Sequence, residues 1–285
     1  MSIYLPSLAP FPFSKMQGLG NDFMVIDATQ TPFTFKAEQV RLLADRRFGV
    51  GFDQLLVIEK APYAEVDFGY RIFNADGSEV EQCGNGARCF AIFVQKKKLS
   101  TKNPIRVATH SGDIELHRLQ SGEVQVNMGV PKTEPADIPF IASGHHSEHY
   151  KIEVAGELVR LAVVNMGNPH AVIQVSNIDK APVGRLGPLL EVHPRFPKRV
   201  NVGFMQIVSR DHICLRVHER GTGETLACGT GACAAVVTGI RQGRLNRLVT
   251  VQLTGGQLKI EWENDSAPVF MSGPAQLLYD GWWCA

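Results

Sequence analysis

Two apolar runs dominate the pattern of hydrophobic and polar positions, and each follows a glycine-rich turn that carries a cysteine. The first, Ala87 to Val94, ends in Gln95, Lys96, Lys97 and Lys98. That pattern predicts a helix with cations in its last turn, where the macrodipole favours them. A polar stretch from Asn74 leads into Cys83, Gly84, Asn85 and Gly86, so Cys83 is expected at the helix start. The second runs from Glu219 through Ala234 into Ala235, Val236 and Val237, and Cys228 takes the place of Cys83, 145 residues further on. Elsewhere the pattern is mostly short strands: Met24 to Ile26, Ala171 to Val175, and the alternating stretches Val107–Leu116 and Val251–Ile260, which read as hairpin strands. Ala37 to Arg46 has helical apolar spacing through Val40 and Leu43.

The landmarks repeat in order. Gly20-Asn21 returns as Gly167-Asn168, offset by 147, and Val50 to Leu56 resembles Val202 to Val208, offset by 152. The cysteine turns follow, then the hairpins, then Val126-Asn127-Met128-Gly129 against Phe270-Met271-Ser272-Gly273, both of the last at 144. Five ordered pairs imply an internal duplication into two homologous α/β domains, joined between Pro131 and Tyr150. We take the domains as 1–132 and 133–273.

Composition narrows the functional classes. A chain of 285 residues with 44% hydrophobic content has ample core for two domains. A net charge of +1 gives no electrostatic footprint for nucleic acid or an anionic membrane. Lys96 to Lys98 reads as the solvated end of a helix. The opening segment contains Pro6, Pro10 and Pro12 and has no basic region followed by an apolar core, so no signal peptide or membrane span is expected. Six cysteines do not make a disulfide scaffold at this length, and a cytoplasmic location with reduced thiols is expected.

Two thiols, one at each helix start, suit stereoinversion: one thiolate removes a proton from a carbon and the opposing thiol returns one to the other face. The expectation is that each helix N-terminus draws its thiol pKa down toward operating pH. Flanking amides can hold a carboxylate beside the reacting carbon. No residue marks a pyridoxal Schiff-base site, so no cofactor is expected.

Phe73-Asn74-Ala75-Asp76-Gly77-Ser78, Cys83-Gly84-Asn85-Gly86-Ala87-Arg88-Cys89, and Glu219-Arg220-Gly221 followed by Cys228-Gly229-Thr230-Gly231-Ala232 resemble the diaminopimelate epimerase family. The likeness runs from Lys15 to Gly281. It implies an α/β (α+β) fold of two similar domains, each a mixed sheet curled around a central helix, with the active site in the cleft between them. The last strand, about 274–285, can return to the first domain. The implied activity is cofactor-independent interconversion of LL- and meso-diaminopimelate, in lysine and peptidoglycan-precursor synthesis. The resemblance makes Cys83 and Cys228 the catalytic acid/base pair, with His170 and Glu219 modulating their pKa values. Gly84, Asn85, Gly229 and Thr230 would hold the reacting carboxylate, and Glu219 the ammonium. Asn21, Asn74, Asn168, Asn201 and Arg220 would fix the distal end, with Gln54 nearby. The resemblance also implies a homodimer with Tyr279 in its contact.

Other readings stand beside this one. A proline racemase-like enzyme shares the Cys228-Gly229-Thr230-Gly231 pattern but typically has Cys-Gly-His at the first thiol. A non-enzymatic binding protein on the same scaffold would be expected to lose one thiol. If the two sulfurs face each other, oxidation is expected to join Cys83 to Cys228 and abolish activity until a reductant is added. Cys89 and Cys233 read as core residues. The spacing Cys228 to Cys233 is at the edge of zinc-ligand spacing and no histidine pair completes it, so no metal is expected. Neither glycine-rich turn completes a dinucleotide or Walker pattern. His145 to His149 matches H-x-x-E-H, but it lies among Pro135, Pro139 and Gly144 and reads as a polar interdomain loop.

Overall fold

The computed structural model describes residues 8–80, 84–110, 112–142 and 147–284. In chain order the elements are β1 (Phe11–Gly18), β2 (Asn21–Ala28), α1 (Ala37–Ala44), β3 (Gln54–Lys60), β4 (Phe68–Asn74), β5 (Glu79–Val80), α2 (Gly84–Lys96), β6 (Ile105–Thr109), β7 (Gly112–Arg118) and β8 (Val124–Asn127). They continue with β9 (Tyr150–Val154), β10 (Glu157–Asn165), β11 (Pro169–Gln174), α3 (Val183–Glu191), β12 (Asn201–Ser209), β13 (His212–Glu219) and β14 (Gly223–Thr225). Last come α4 (Gly229–Arg241), β15 (Leu248–Leu253), β16 (Gly256–Glu261), β17 (Phe270–Gly273) and β18 (Gln276–Trp283). One compact unit runs to Val126 and takes back Pro274–Ala285; the other is Asn127–Gly273.

In the first unit β1 pairs antiparallel with β2 and with β18. The ladder continues parallel from β2 to β3 and antiparallel from β3 to β4 and β4 to β5. It then runs parallel from β4 to β6 and antiparallel through β7 to β8. The second unit repeats this scheme. β10 pairs antiparallel with β11 and β9, β11 is parallel to β12, and β12, β13 and β14 follow antiparallel. A parallel step from β13 to β15 and the antiparallel steps to β16 and β17 complete it. Thus β18 does for the first unit what β9 does for the second, and the fold is a duplicated mixed-sheet α+β architecture.

The register corrects one sequence pairing. Gln54 stands beside Phe23 and Asn201 beside His170 in the two parallel ladders, so Gln54 and Asn201 are equivalent. They are 147 residues apart, and the match of Val50–Leu56 to Val202–Val208 is displaced by five. Gly51, with φ of 73°, lies in the loop before β3, whereas Gly203 is inside β12. The Val-Gly-Phe triplets share composition but not place.

Each sheet has two covered faces, which is why its strands read as apolar runs rather than clean alternation. Outside, Val40, Leu43 and Ala44 of α1 pack on Met24, Ile26, Leu55 and Val57. Val183, Leu186 and Leu190 of α3 pack likewise on Ala171, Ile173, Val202 and Phe204. Inside lies the central helix. Every residue from Gly84 to Val94 is buried, as are Gly229 and Gly231 to Gly239. A helix without an exposed stripe is apolar all round except where a buried polar group is hydrogen-bonded, as Arg88 is, and Cys89 and Cys233 are core residues of such helices. Phe90 meets Tyr70 and Phe68 edge-on, with ring centroids 4.9 and 5.9 Å away.

Candidate active site

At the start of α2 Asn85 meets Asn21, and at the start of α4 Cys228 meets Glu219 and Thr230; the other predicted site residues bond within their own sheets and loops. Cys83 lies outside the described residues, as do His145 and His146 of the H-x-x-E-H stretch. Glu148 and His149 are in irregular chain before β9, not on a helix. Among the described residues no group of three or more His, Cys, Asp or Glu is placed to hold a metal.

In the first unit Asn21 opens β2, Gln54 opens β3 and Asn74 closes β4, so three amides share one end of the sheet. Gln54 stands opposite Asn74 in the ladder and donates from Nε2 to Asn74 Oδ1 at 3.0 Å. Asn74 Nδ2 donates to Ser78 Oγ at 3.2 Å. Asn21 donates to Asp53 Oδ2 at 2.9 Å and accepts from Asn85 Nδ2 at 3.4 Å. Gly84 and Asn85 are buried in the first turn of α2. Behind them Arg88, fully buried, donates to Gly84 O at 3.3 Å, Asn85 Oδ1 at 2.9 Å and Pro274 O at 3.1 Å. These side chains orient one another before any ligand arrives. Gln54 Oε1 is buried with no hydrogen-bond partner among the described residues.

In the second unit Cys228 is the N-cap residue of α4 and is 3% exposed. Its Sγ–H donates to Glu219 Oε2 at 3.0 Å, and Thr230 Oγ1 is 3.6 Å away. Glu219 ends β13, and its other oxygen accepts from the Thr225 hydroxyl on β14. Strand alternation puts Val217 and Glu219 on the face toward the start of α4. Gly231 keeps this spot tight: a Cβ would lie 3.0 Å from Val217 Cγ2 and 3.3 Å from Cys228 Sγ, so either neighbour would have to give by a few tenths of an ångström. The first-turn amides of α4 have no intrahelical partner, which makes the turn a ready anion site.

The electrostatics depart from the sequence expectation at this thiol. Burial first, then the Glu219 carboxylate, push the Cys228 pKa well above the usual thiol range, against the smaller pull of Thr230 and the Gly231 amide. Cys228 is therefore held here as a thiol, the acid form. His170, parallel neighbour of Asn201, is 1% exposed, and burial with the nearby Arg220 charge holds its pKa at about 3. The neutral ring donates from Nε2 to Asn168 Oδ1 at 2.9 Å, because an amide oxygen can only accept. Among the described residues Nδ1 is left as a buried lone pair without a partner. Glu219 touches the thiol directly; His170 touches Asn168.

Asn201 uses both amide groups inside the unit: Nδ2 donates to Pro169 O at 3.2 Å and Oδ1 accepts from Arg220 N–H at 2.9 Å. Arg220 is exposed, with Nη1 donating to Lys198 O at 3.0 Å. Sequence reasoning passed over Thr225, Arg88 and Asp53. The signals were a hydroxyl six residues after Glu219, a lone charge in an apolar run, and an acid next to Gln54.

The architecture belongs to a class of two-unit mixed-sheet proteins. A PhzF-family phenazine biosynthesis protein from Bacillus anthracis superposes with a TM-score of 0.70 at 14% identity, over 98% of this chain and 100% of that one. A hydroxyproline epimerase from Agrobacterium vitis does so with a TM-score of 0.67 at 13% identity, over 96% and 92%. Sequence takes the assignment further. The family profile "Diaminopimelate epimerase" matches residues 13–134 and 162–278, and the chain belongs to that family. Diaminopimelate epimerases from Pseudomonas paraeruginosa and Thioalkalivibrio sulfidiphilus are each 58% identical, over 94% of this chain and 97% of theirs.

Proposed function

We propose that this family member interconverts LL- and meso-diaminopimelate by two-base proton transfer at the α-carbon, in lysine biosynthesis. Cys83 and Cys228 exchange the roles of base and acid with the direction of reaction. The observation that carries the reading is Cys228: a buried thiol at the start of a buried helix, bonded at 3.0 Å to Glu219 and flanked by Thr230. Such a group is poised to give a proton to a carbon or take one from it, and needs no cofactor. In this reading the amides of Gly84, Asn85, Gly229 and Thr230 hold the carboxylate next to the reacting carbon, where negative charge develops. Glu219 takes the ammonium. The distal amino-acid end falls to Asn21, Asn74, Asn168, Asn201 and Arg220, with Gln54 Oε1 and His170 Nδ1 as acceptors in waiting.

The reading includes a cytoplasmic homodimer. Among the described residues no helix is long and apolar enough to cross a membrane. On β18, Leu278, Tyr279 and Trp282 are 47%, 49% and 67% exposed, an apolar strand suited to a second copy.

The test incubates reduced enzyme with LL-diaminopimelate in deuterium oxide and follows α-deuterium by NMR and meso product by chiral chromatography. Wild type should invert with deuterium uptake, and Cys83→Ala and Cys228→Ala should not. Exchange with proline instead would move the substrate; exchange with no amino acid would overturn the reading.

A further inference from the structure

Glu219 sits at the edge of an exposed turn, yet its carboxylate has to stay against a buried sulfur. The turn closes with Thr222 N–H donating to Glu219 O at 3.1 Å, and Gly221 takes φ of 77°. Arg220, Gly221 and Thr222 are exposed. A turn of this kind holds its side chains loosely unless something buried grips it.

The grip comes from α3. Glu191, its last residue, is 8% exposed. One carboxylate oxygen accepts from His218 Nε2 at 2.8 Å, the other from Gly221 N–H at 2.9 Å. Arg199 Nη1 reaches the second oxygen at 3.3 Å. His218 precedes Glu219 and Gly221 follows it by two, so one carboxylate clamps the chain on both sides of Glu219. The clamp works through the sheet: His218 faces α3 while its neighbours Val217 and Glu219 face α4. The His218 ring is itself seated on Gly187, where a Cβ would come within 2.6 Å of the ring Cγ. Glu191 O also accepts from Val200 N–H at 3.2 Å, next to Asn201, which holds the Arg220 amide.

We propose that Glu191 is a positioning residue for the reaction: through His218 and the Gly221 amide it sets the turn that keeps the Glu219 carboxylate on Cys228. The inference rests on the reading of Cys228 as an acid/base group. The carboxylate is held ionised, since the bonds from His218 and Gly221 outweigh its burial and keep its pKa below the usual range. Among the described residues the groups facing it are the His218 ring and the Arg199 guanidinium, and the carboxylate bonded to Cys228 is that of Glu219.

The test uses the full chain with Glu191→Ala, Glu191→Gln and Gly187→Ala; the last displaces the His218 ring without removing a charge. Three quantities are read: thermal midpoint, kcat and KM with LL-diaminopimelate, and the rate of iodoacetamide alkylation of the Cys228 peptide from neutral to alkaline pH. Glu191→Ala and Gly187→Ala should lower kcat by about tenfold or more with KM changed less than about threefold. In both, the Cys228 alkylation curve should move to lower pH, because the carboxylate no longer sits on the sulfur. Glu191→Gln, which still accepts from Gly221, should fall between them and wild type. A purely structural role would lower the thermal midpoint and leave the alkylation curve in place. Curves that overlay wild type, with kcat within about twofold, overturn the proposal. If Glu191→Ala does not fold, Glu191→Gln and Gly187→Ala decide by the same readouts. If wild type does not epimerise diaminopimelate, the substrate reading fails, while the alkylation curves still judge the clamp.

Discussion

Asp22→Asn probes the charge cluster that holds Asn21. Asp22 accepts from Lys15 Nζ and from Arg46 Nη1 and Nη2 at 3.0 and 2.8 Å. Its backbone N–H donates to the Asp53 oxygen, Oδ2, that also takes the Asn21 amide, at 3.1 and 2.9 Å. Burial alone would raise the carboxyl pKa; the hydrogen bonds of Arg46 and then Lys15 overcome it and hold it at about 2, against 3.8 unperturbed. A difference of that size is about 2 kcal/mol of folding stability. Because the folded value is the lower one, the contribution is complete at neutral pH. It fades as pH falls through 3.8 toward 2, with about half left near pH 3. Asn cannot titrate, so the variant lacks this contribution throughout, and it also strands the Lys15 ammonium, 7% exposed, beside the Gly51 carbonyl. Urea unfolding followed by tryptophan fluorescence at matched ionic strength should show a stability gap of at least about 2 kcal/mol at neutral pH. The gap should narrow by about 1 kcal/mol as the pH is lowered to about 3. A gap of the same size at both ends refutes the linkage. The substrate KM should rise more than kcat falls, since Asn21 is loosened and Cys228 is untouched.

Thr225→Val keeps the shape of β14 but removes the hydroxyl that steadies Glu219; the loss of one charge-assisted bond, about 1.5 kcal/mol, should lower kcat by about tenfold in the deuterium-exchange assay, and an unchanged kcat would deny Thr225 that role. Gly231→Ala places a Cβ 3.3 Å from Cys228 Sγ and 3.0 Å from Val217, so the sulfur should move by a few tenths of an ångström, visible crystallographically, with kcat down about tenfold and a thermal midpoint close to wild type. Phe90→Ala empties a fully buried site between Tyr70 and Phe68 and should cost about 4 kcal/mol in chemical denaturation; a loss under about 1 kcal/mol would mean that the first unit collapses around the gap.

The duplication was legible because it rests on glycines and apolar runs, which answer to local rules. Gly20 and Gly167 both adopt positive φ in the turns before their strands, and the two cysteine-glycine stretches lead into helices of equal length. The identity of the amides was legible too, but not their partners. That Gln54 meets Asn74 follows from the β3–β4 register, which the sequence does not specify at residue resolution. The displaced Val50–Leu56 match shows the same limit: a recurring triplet was read as a recurring place. Glu191 and Gly187 were beyond reach for a different reason. Their role runs across the sheet from α3 to the Glu219 turn, and nothing within a helix marks which of its carboxylates faces a strand.

The charge state of Cys228 is the sharpest divergence, and its cause is a competition that helix position alone cannot decide. A helix start offers partial positive charge and an amide, here that of Gly231, and both favour thiolate. Against them stand burial to 3% exposure and a carboxylate at 3.0 Å, and both favour thiol. The second pair wins because low local dielectric penalises the charged sulfur and strengthens its repulsion from Glu219 at once. In the proposed two-base reaction one sulfur has to carry a proton whenever the other lacks it, and the Glu219 contact makes Cys228 the natural carrier in the free protein. The same contact explains why Thr225 and Glu191 matter at a distance. They do not touch the sulfur, but they decide whether the carboxylate that keeps its proton in place is there to do so.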